Sequence, residues 1–413
     1  MAAHFKRLRS NQGRPSQALK APHLTLKTAK EASHTMPFYY HLDGRKPDDK
    51  RTAERLLRLK QGFSEEKLPQ KTVAETLLLA TWNIREFESG KYGKRAFEPL
   101  YYIAEIISRF DLVAVQEVRD DLSSLTRVMK YLGGWWKFLL TDVTEGQQGK
   151  RERMAFIYDS SKISFGGLAS EIVIPPSKKK GMALNPARQL ARTPFMVGFR
   201  AGWFKFTICT THILYGKAVA ESPEREEEIR VLAKFLADRA GERYAWSKNM
   251  ILLGDFNIFD TKDKTFQALT GAGFIVPKQI MDKRTNVKGD KHFDQIAFIA
   301  PDLQDQLELC SAGIFDYFQY VYLEEDEETY KEAMGREYLE DKNRKKRDAK
   351  GRTRYYKDWR TFQMSDHLPL WVELKIDFGE EYLKKKVADR LAPTQTNDPL
   401  APPPPAGTDL DTE

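Results

Sequence analysis

Apolar segments that begin or end in a polar or acidic residue are the feature that most constrains this chain. LLLATWN is apolar until it reaches Asn83, and VAVQE ends at Glu117 in the same way. Four further segments carry such residues at one end: His212, Asp255 with Asn257, Asp294, and Asp366 with His367. Burying a carboxylate or an imidazole costs several kcal/mol unless the group is paired or bound to a metal ion. Because six segments share the feature, we predict strands whose ends converge on one site.

Helical segments separate these predicted strands along the chain. Isoleucines recur at helical spacing in Pro99–Phe110, and Ser222–Pro223 provides an N-cap followed by a proline at the first helical position. Strands from both halves of the chain with helices between them predict an α/β fold in which two sheets pack face to face under outer helices.

The excess of positive charge is confined to the N-terminal part of the chain. Of a formal charge of +8, residues 1–75 contribute all, with 16 Lys+Arg against 8 Asp+Glu. Residues 1–36 lack hydrophobic periodicity, so we predict a flexible basic extension with a short helix from Asp48 to about Gln61. This arm suits non-specific contact with phosphates, and its alternative role is that of a solubilising tail.

We place the main domain at residues 76–377. It contains a charged insertion at about 317–362, acidic first and basic later, for which we expect a solvated helix and loop. Residues 378–413 contain a run of prolines at Pro402–Pro405 and predict a disordered tail.

Composition excludes several classes of protein. Two cysteines rule out a disulfide scaffold and a cysteine-rich metal site. No apolar run approaches the length of about 18 residues that a membrane helix needs. The basic N-terminus has no apolar stretch behind it that would form a secretory signal, so we expect a cytoplasmic location.

The residue types at the segment ends indicate a chemistry. Five of them carry oxygen donors that suit a hard cation, Mg²⁺ or Mn²⁺ or else Ca²⁺: Asn83, Glu117, Asp255, Asn257 and Asp366. Two histidines accompany them, and Glu152 and Asp294 are available to orient these imidazoles. A hard metal with two carboxylate-paired histidines fits phosphodiester hydrolysis, in which one pair activates water and the other protonates the leaving oxygen.

Six short motifs, in this order, resemble the endonuclease/exonuclease/phosphatase superfamily: WNIREF, QEVRD, TTH, GDFN, FDQI and SDH. Within it the chain is most similar to the deoxyribonuclease I family, which shares the N-I-R and Q-E-V-R-D stretches and a K-E-R that corresponds here to Arg151–Glu152–Arg153. The resemblance spans about residues 76–377 and implies a four-layered α/β sandwich.

The resemblance also implies roles for individual residues. Glu117 is the central metal ligand, with Asn83 and Asp366, and Asp255 and Asn257 hold a second metal ion or orient the scissile phosphate.

His367, aligned by Asp294, activates water, and His212, aligned by Glu152, protonates the leaving oxygen, although the sequence leaves the assignment of base and acid open. Arg119 and Arg192 match positions that contact the phosphate backbone. Glu152 lies in a charged stretch, so the alternative for this residue is a solvated surface position without a role in the site. For Arg119 and Arg192 the alternative is a role in ion pairs on the surface.

These observations together predict a monomeric, metal-dependent endonuclease that cleaves DNA with low sequence specificity. A phosphatase or a sphingomyelinase-type phosphodiesterase of the same superfamily is the alternative enzyme. A non-catalytic binding scaffold is the third hypothesis, against which the complete set of histidines and acidic residues counts.

Overall fold

Two mixed β-sheets form the centre of the computed structural model, which describes residues 36–88, 94–145, 150–175, 189–300 and 309–388. The strands are β1 Thr76–Phe87, β2 Leu112–Val118, β3 Trp136–Leu140, β4 Arg153–Asp159, β5 Ile163–Glu171, β6 Phe195–Ala201, β7 Phe204–His212, β8 Met250–Asp255, β9 Asp294–Ile299, β10 Leu309–Ile314 and β11 Leu370–Lys375. The first sheet has the order β10-β11-β1-β2-β4-β3, and the second has the order β5-β6-β7-β8-β9.

Helices cover the outer faces of both sheets. Among the described residues they are α1 Pro47–Glu65, α2 Phe97–Ile107, α3 Ser123–Leu132, α4 Pro223–Gly241, α5 Lys264–Thr270, α6 Lys331–Met334, α7 Arg336–Leu339, α8 Ala349–Gln363 and α9 Gly379–Ala388. As predicted, Ser222 is the N-cap of α4, and its side chain accepts a hydrogen bond from the amide of Arg225.

The alternation of side chains along β1 explains the layers. Leu77 and Leu79 face the second sheet and join one core with its residues, whereas Leu78 and Ala80 join a second core under α1, α2 and α3. Successive residues of a strand point to opposite faces, so an unbroken apolar strand requires cover on both sides. The predicted four-layered α/β sandwich is confirmed.

Helix α1 belongs to the packed structure. Its residues Leu56, Leu59 and Phe63 are buried in the second core, and Lys60 Nζ lies 2.8 Å from Glu105 Oε1 of α2. The helix predicted from Asp48 to about Gln61 is therefore present, and the packed chain begins N-terminal of the predicted boundary at residue 76. Residues 1–35 of the predicted arm lie outside the described residues.

The charged insertion differs from the predicted solvated helix and loop. Its charged side chains are mostly exposed, but aromatic residues between them are buried against α2 and β1, among them Tyr322, Tyr330, Tyr338, Tyr356 and Trp359. The Tyr330 hydroxyl donates to the carboxylate of Glu98 on α2, at 2.8 Å. The pattern of charged residues predicted a solvated segment and gave no indication that its aromatic residues are packed in the core.

The predicted disordered tail begins with an exposed helix, α9, which has no buried residue. Residues 389–413 lie outside the described residues. Cys209 is buried and Cys310 is exposed, and the described residues form no disulfide. No helix in the described parts of the chain is long and apolar enough to cross a membrane.

A pair of leucines on α1 tests whether this helix is part of the folded domain. Leu59 is fully buried, whereas Leu57 is 68% exposed. We expect Leu59→Ala to lower the free energy of unfolding by about 2–5 kcal/mol, because it leaves a cavity in the core. Leu57→Ala should change it by less than about 0.5 kcal/mol. Urea denaturation measures both, and equal small effects would show that α1 does not contribute to the core.

Candidate active site

Strand register brings the polar strand ends together. Parallel pairing of β7 with β8 sets His212 opposite Asp255, and antiparallel pairing of β8 with β9 sets Asp255 opposite Asp294. In the other sheet, β1 and β2 are parallel, and Asn83 pairs with Gln116, the neighbour of Glu117. The Asn83 amide joins the two sheets, since its Nδ2 donates to Asp255 Oδ2 at 2.9 Å and to Glu117 Oε1 at 3.1 Å.

The local backbone at these strand ends is unusual. The pairing of β2 with β4 shifts register between Val115 and Val118, and Glu117 within this irregularity has φ +62°. Asn257 has φ +53° and donates its backbone amide to Asp255 Oδ1 at 2.8 Å. Left-handed conformations cost energy in residues other than glycine and concentrate at functional sites.

Gly254, next to Asp255, permits a close approach of strands. A Cβ at this position would lie 2.0 Å from the carbonyl oxygen of Thr211 on β7, and its φ is +133°. Only glycine fits there. The glycine of GDFN therefore allows β8 to place Asp255 beside His212.

His367 is held from several sides. Its Nδ1 lies 2.7 Å from Asp294 Oδ2, and its backbone amide donates to Ser365 Oγ at 3.0 Å. The indole of Trp82 and the hydroxyl of Tyr317 both donate to its carbonyl oxygen. Burial alone would lower the pKa of His367, but the carboxylates of Asp294 and Asp255 outweigh it and raise that pKa well above its ordinary value.

His212 is placed against a second buried acid. Its Nδ1 lies 2.9 Å from Glu152 Oε2, and both side chains are almost fully buried. Burial acts to raise the pKa of Glu152, but His212 and Arg192 together lower it to about 2. Glu152 is thus a buried carboxylate that stays ionised, and its solvated alternative is excluded.

Asp255 lies between the two imidazoles. Its Oδ2 is 3.4 Å from His212 Nε2 and 3.7 Å from His367 Nε2. Each histidine therefore presents one ring nitrogen to a buried carboxylate of its own and the other to a shared centre.

A cavity of about 1290 Å³ opens onto this centre. His212, Asp255, Asn257, Glu117 and His367 line it together with Arg85. Residues of the insertion line it as well, namely Arg347, Arg354, Tyr355, Lys357, Asp358 and Thr361, which we call the insertion wall. The segment 286–291, with Lys288 and Lys291, also lines it, and we call this segment the loop wall.

The donor set suits a divalent cation. Asn83 Oδ1 is buried and has no hydrogen-bond partner within the described residues, a costly arrangement that a cation would relieve. Ligand atoms of Glu117, Glu152 and His212 lie within 4.8 Å of one another, and those of Asp255, Asp294 and His367 do the same. Oxygen donors dominate, as Mg²⁺ and Ca²⁺ require. These residues could hold one or two such ions.

Asp366 is less enclosed than the other predicted ligands. It lines the same cavity as Glu117, but half of its side chain is exposed, and its Oδ2 lies 3.9 Å from Arg85 Nε. Its predicted place in the metal site stays a prediction.

The two predicted phosphate-binding arginines contact Glu152. Arg192 is buried, and its Nε donates to Glu152 Oε2 at 2.5 Å. Arg119 Nη2 lies 3.7 Å from Glu152 Oε1, and its Nη1 donates to the carbonyl of Lys150. Neither forms the surface ion pair of the alternative hypothesis, and both neutralise the acid behind His212. Contact with substrate phosphates stays a prediction for them.

Sequence reasoning missed the residues that shape the cavity. Arg85 stands inside the motif WNIREF and could have been found there, because it follows Asn83 by two residues on the same strand. Phe293 could have been found in the same way beside Asp294, and its ring stacks on His367 with centroids 5.5 Å apart. The insertion wall could not have been found, since no local signal directs a charged segment towards a site.

Comparisons with known proteins agree with the motifs. No protein-family model matches the chain. A deoxyribonuclease of Thioalkalivibrio sp. (strain K90mix) is 31% identical over 202 residues, which is 46% of this chain and about half, 48%, of that protein. Deoxyribonuclease-1 of Gallus gallus is 25% identical over 260 residues, 59% of this chain and 85% of that protein.

Among solved structures, an endonuclease/exonuclease/phosphatase family protein from Bacteroides thetaiotaomicron aligns with a TM-score of 0.47 at 15% identity, over 73% of this chain and 98% of that one. In sequence the chain is similar to deoxyribonuclease I, and its sandwich of two mixed sheets is the fold expected of the endonuclease/exonuclease/phosphatase superfamily that its motifs resemble.

Proposed function

We propose that this protein is a metal-dependent phosphodiesterase that hydrolyses DNA with low sequence specificity. The observation that carries the proposal is the placement of two imidazoles on either side of Asp255, each backed by its own buried carboxylate. The similarity to proteins named deoxyribonuclease supports DNA as the substrate.

The geometry supports a division of labour between the histidines. An imidazole held by a carboxylate at Nδ1 presents Nε2 to the substrate, where it can take or give a proton. His367 and His212 both have this arrangement, and their Nε2 atoms face the same centre. One can accept the proton of the attacking water while the other protonates the leaving oxygen, with His367 as base and His212 as acid in our proposal.

Glu117, Asn83 and Asp366 would hold a Mg²⁺ or Mn²⁺ ion, with Asp255 and Asn257 near a second ion or the scissile phosphate. Such an ion supplies positive charge that stabilises the phosphorane-like transition state. Arg85 lines the cavity beside these residues and can add a guanidinium contact to the phosphate. A monomeric state and a cytoplasmic location are further predictions that await solution experiments.

Metal dependence is tested on Glu117. We expect activity to vanish in excess chelator and to return with Mg²⁺ or Mn²⁺, and Glu117→Ala to weaken Mn²⁺ binding at least about tenfold, because it removes a carboxylate ligand. Isothermal titration calorimetry measures the binding, with Glu332→Ala, an exposed acid away from the cavity, as the control. Full turnover in chelator would contradict the proposal.

The histidine pairs are tested by their non-additivity. His212→Ala and His367→Ala should each lower kcat on DNA by about 10²–10⁴, the usual contribution of a general acid or base. Glu152→Gln should cost less, and adding it to His212→Ala should change little further, because Glu152 acts through His212.

The exposed His41 provides the control, and His41→Ala should leave kcat unchanged. If Glu152→Gln were silent while His212→Ala was inactive, the pairing of these two residues would be wrong even though the nuclease proposal stood.

A further inference from the structure

Helix α8 of the insertion is fixed to the candidate active site. Arg85 of β1 donates from Nη1 to Asp358 Oδ1 at 3.1 Å, and the buried Arg95 donates to the carbonyl of Met364 at 3.1 Å. Directly after the helix, Ser365 Oγ donates to the carbonyl of Asn83 at 2.5 Å, two residues before His367. The position of α8 is therefore coupled to the strands that carry the catalytic residues.

One face of α8 anchors the helix and another lines the cavity. Tyr356 and Trp359 are buried in the second core, and Phe362 is fully buried with the guanidinium of Arg95 over its ring. Arg354, Asp358 and Thr361 recur at spacings of four and three residues, which puts them on one face, and all three line the cavity. Because the opposite side of α8 is packed in the core, the face that lines the cavity is held in a fixed position.

Arg354 is the most available cation on the insertion wall. Lys357 Nζ is paired with Glu324 Oε1 at 2.8 Å, and Arg347 Nε donates to the carbonyl of Glu337 at 2.9 Å. Arg354 is exposed and has no hydrogen bond or ion pair to any other described residue. A guanidinium on a fixed helix with no partner among the residues that the structure describes is suited to a phosphate of a bound ligand.

The loop wall adds two lysines to the lining of the same cavity. Lys288 is exposed there, and Lys291 Nζ lies 4.4 Å from the centre of the Phe259 ring. Acidic side chains line the cavity as well, with Glu117, Asp255 and Asp366 around the centre. The acids of the two walls have partners in the protein: Glu324 is paired with Lys357, Asp358 with Arg85, and Asp290 with Asn286. A polyanion would thus meet cations on both walls, while the carboxylates of the centre face the reacting phosphate and its metal ion.

Arg354 lies on α8 at a different height from the residue that holds Arg85. It precedes Asp358, the partner of Arg85, by four residues, or about 6 Å along the helix axis. A DNA strand advances about 3.4 Å per nucleotide, so for a strand that runs along α8 this offset corresponds to about two nucleotides. The neighbouring phosphates of a longer strand are the groups within its reach.

We infer that the insertion wall, with Arg354 as its contact, binds phosphates of DNA beyond the scissile one. The inference rests on the proposed function, and it assigns to the charged insertion a role in binding long substrates. Arg354 then contributes to KM on DNA and not to the chemical step.

The test compares Arg354→Ala with Lys350→Ala. Lys350 is an exposed cation on the same helix that does not line the cavity, so its removal changes the net charge equally. Initial rates are measured on a long DNA duplex across a salt series and on bis(p-nitrophenyl) phosphate, which has a single phosphate and so offers Arg354 no neighbouring one. Thermal unfolding confirms that both variants are folded.

One phosphate contact adds about −0.9 to the slope of log binding constant against log salt, which amounts to about eightfold at 0.1 M relative to 1 M. We expect Arg354→Ala to raise KM on DNA by about that factor and to flatten the slope by about 0.9, with rates on the small diester unchanged. Arg354→Glu should raise KM further.

Two results overturn the inference and are distinguishable from each other. Equal KM and equal salt slope for wild type and Arg354→Ala, or equal changes in Lys350→Ala, would refute the insertion wall while the proposed function stands. Failure of the metal-loaded wild type to cleave DNA while it hydrolyses bis(p-nitrophenyl) phosphate would refute the proposed substrate and, with it, this inference.

Discussion

The contact on which the site depends is that of the Asp255 carboxylate with groups from both sheets. Its Oδ2 accepts a hydrogen bond from Asn83 on β1 and lies within 3.7 Å of both His212 and His367. This arrangement follows from the pairing of β7, β8 and β9, which sets His212, Asp255 and Asp294 side by side, and from Gly254, which allows the close approach of β7. A shift of one residue in any of these pairings would turn the side chains to the opposite face of the sheet, and the residues of the site would no longer be in contact.

Much of this could be predicted from the sequence, because the pattern of polar ends on apolar strands has a physical cause. Carboxylates and imidazoles at the ends of buried strands require partners, and strands of one sheet provide them to each other at a shared edge. The pairs His212–Glu152 and His367–Asp294 are both in contact as the resemblance implied. The two-sheet fold followed from alternating strand and helix patterns. The sequence did not predict β5 or β10; β5, ISFGGLASE, contains two adjacent glycines and is mostly exposed, so it lacks the run of apolar residues that marked the other strands.

What the sequence did not reveal depends on long-range packing. The insertion has the composition of a solvated segment, yet its tyrosines pack beneath it and direct α8 along the cavity. Arg192 matched a phosphate-binding position, but the structure buries it against Glu152. Local patterns identify residues that need partners, and they do not show which of several partners a long side chain will reach. The packed domain also extends N-terminal of residue 76, which the sequence did not predict. The apolar residues of α1 pack on α2, and the local pattern of α1 does not show that neighbour.

The central claim is that His212 and His367 have complementary proton-transfer roles at one phosphate. The most direct measurement compares His212→Ala and His367→Ala on DNA and on bis(p-nitrophenyl) phosphate, whose phenolate leaves without protonation. The account predicts that His212→Ala, which lacks the acid, regains activity on the aryl ester to within about tenfold of wild type, whereas His367→Ala remains impaired by about 10²–10⁴ on both substrates. Equal impairment of both variants on both substrates, or equal recovery of both on the aryl ester, would contradict it.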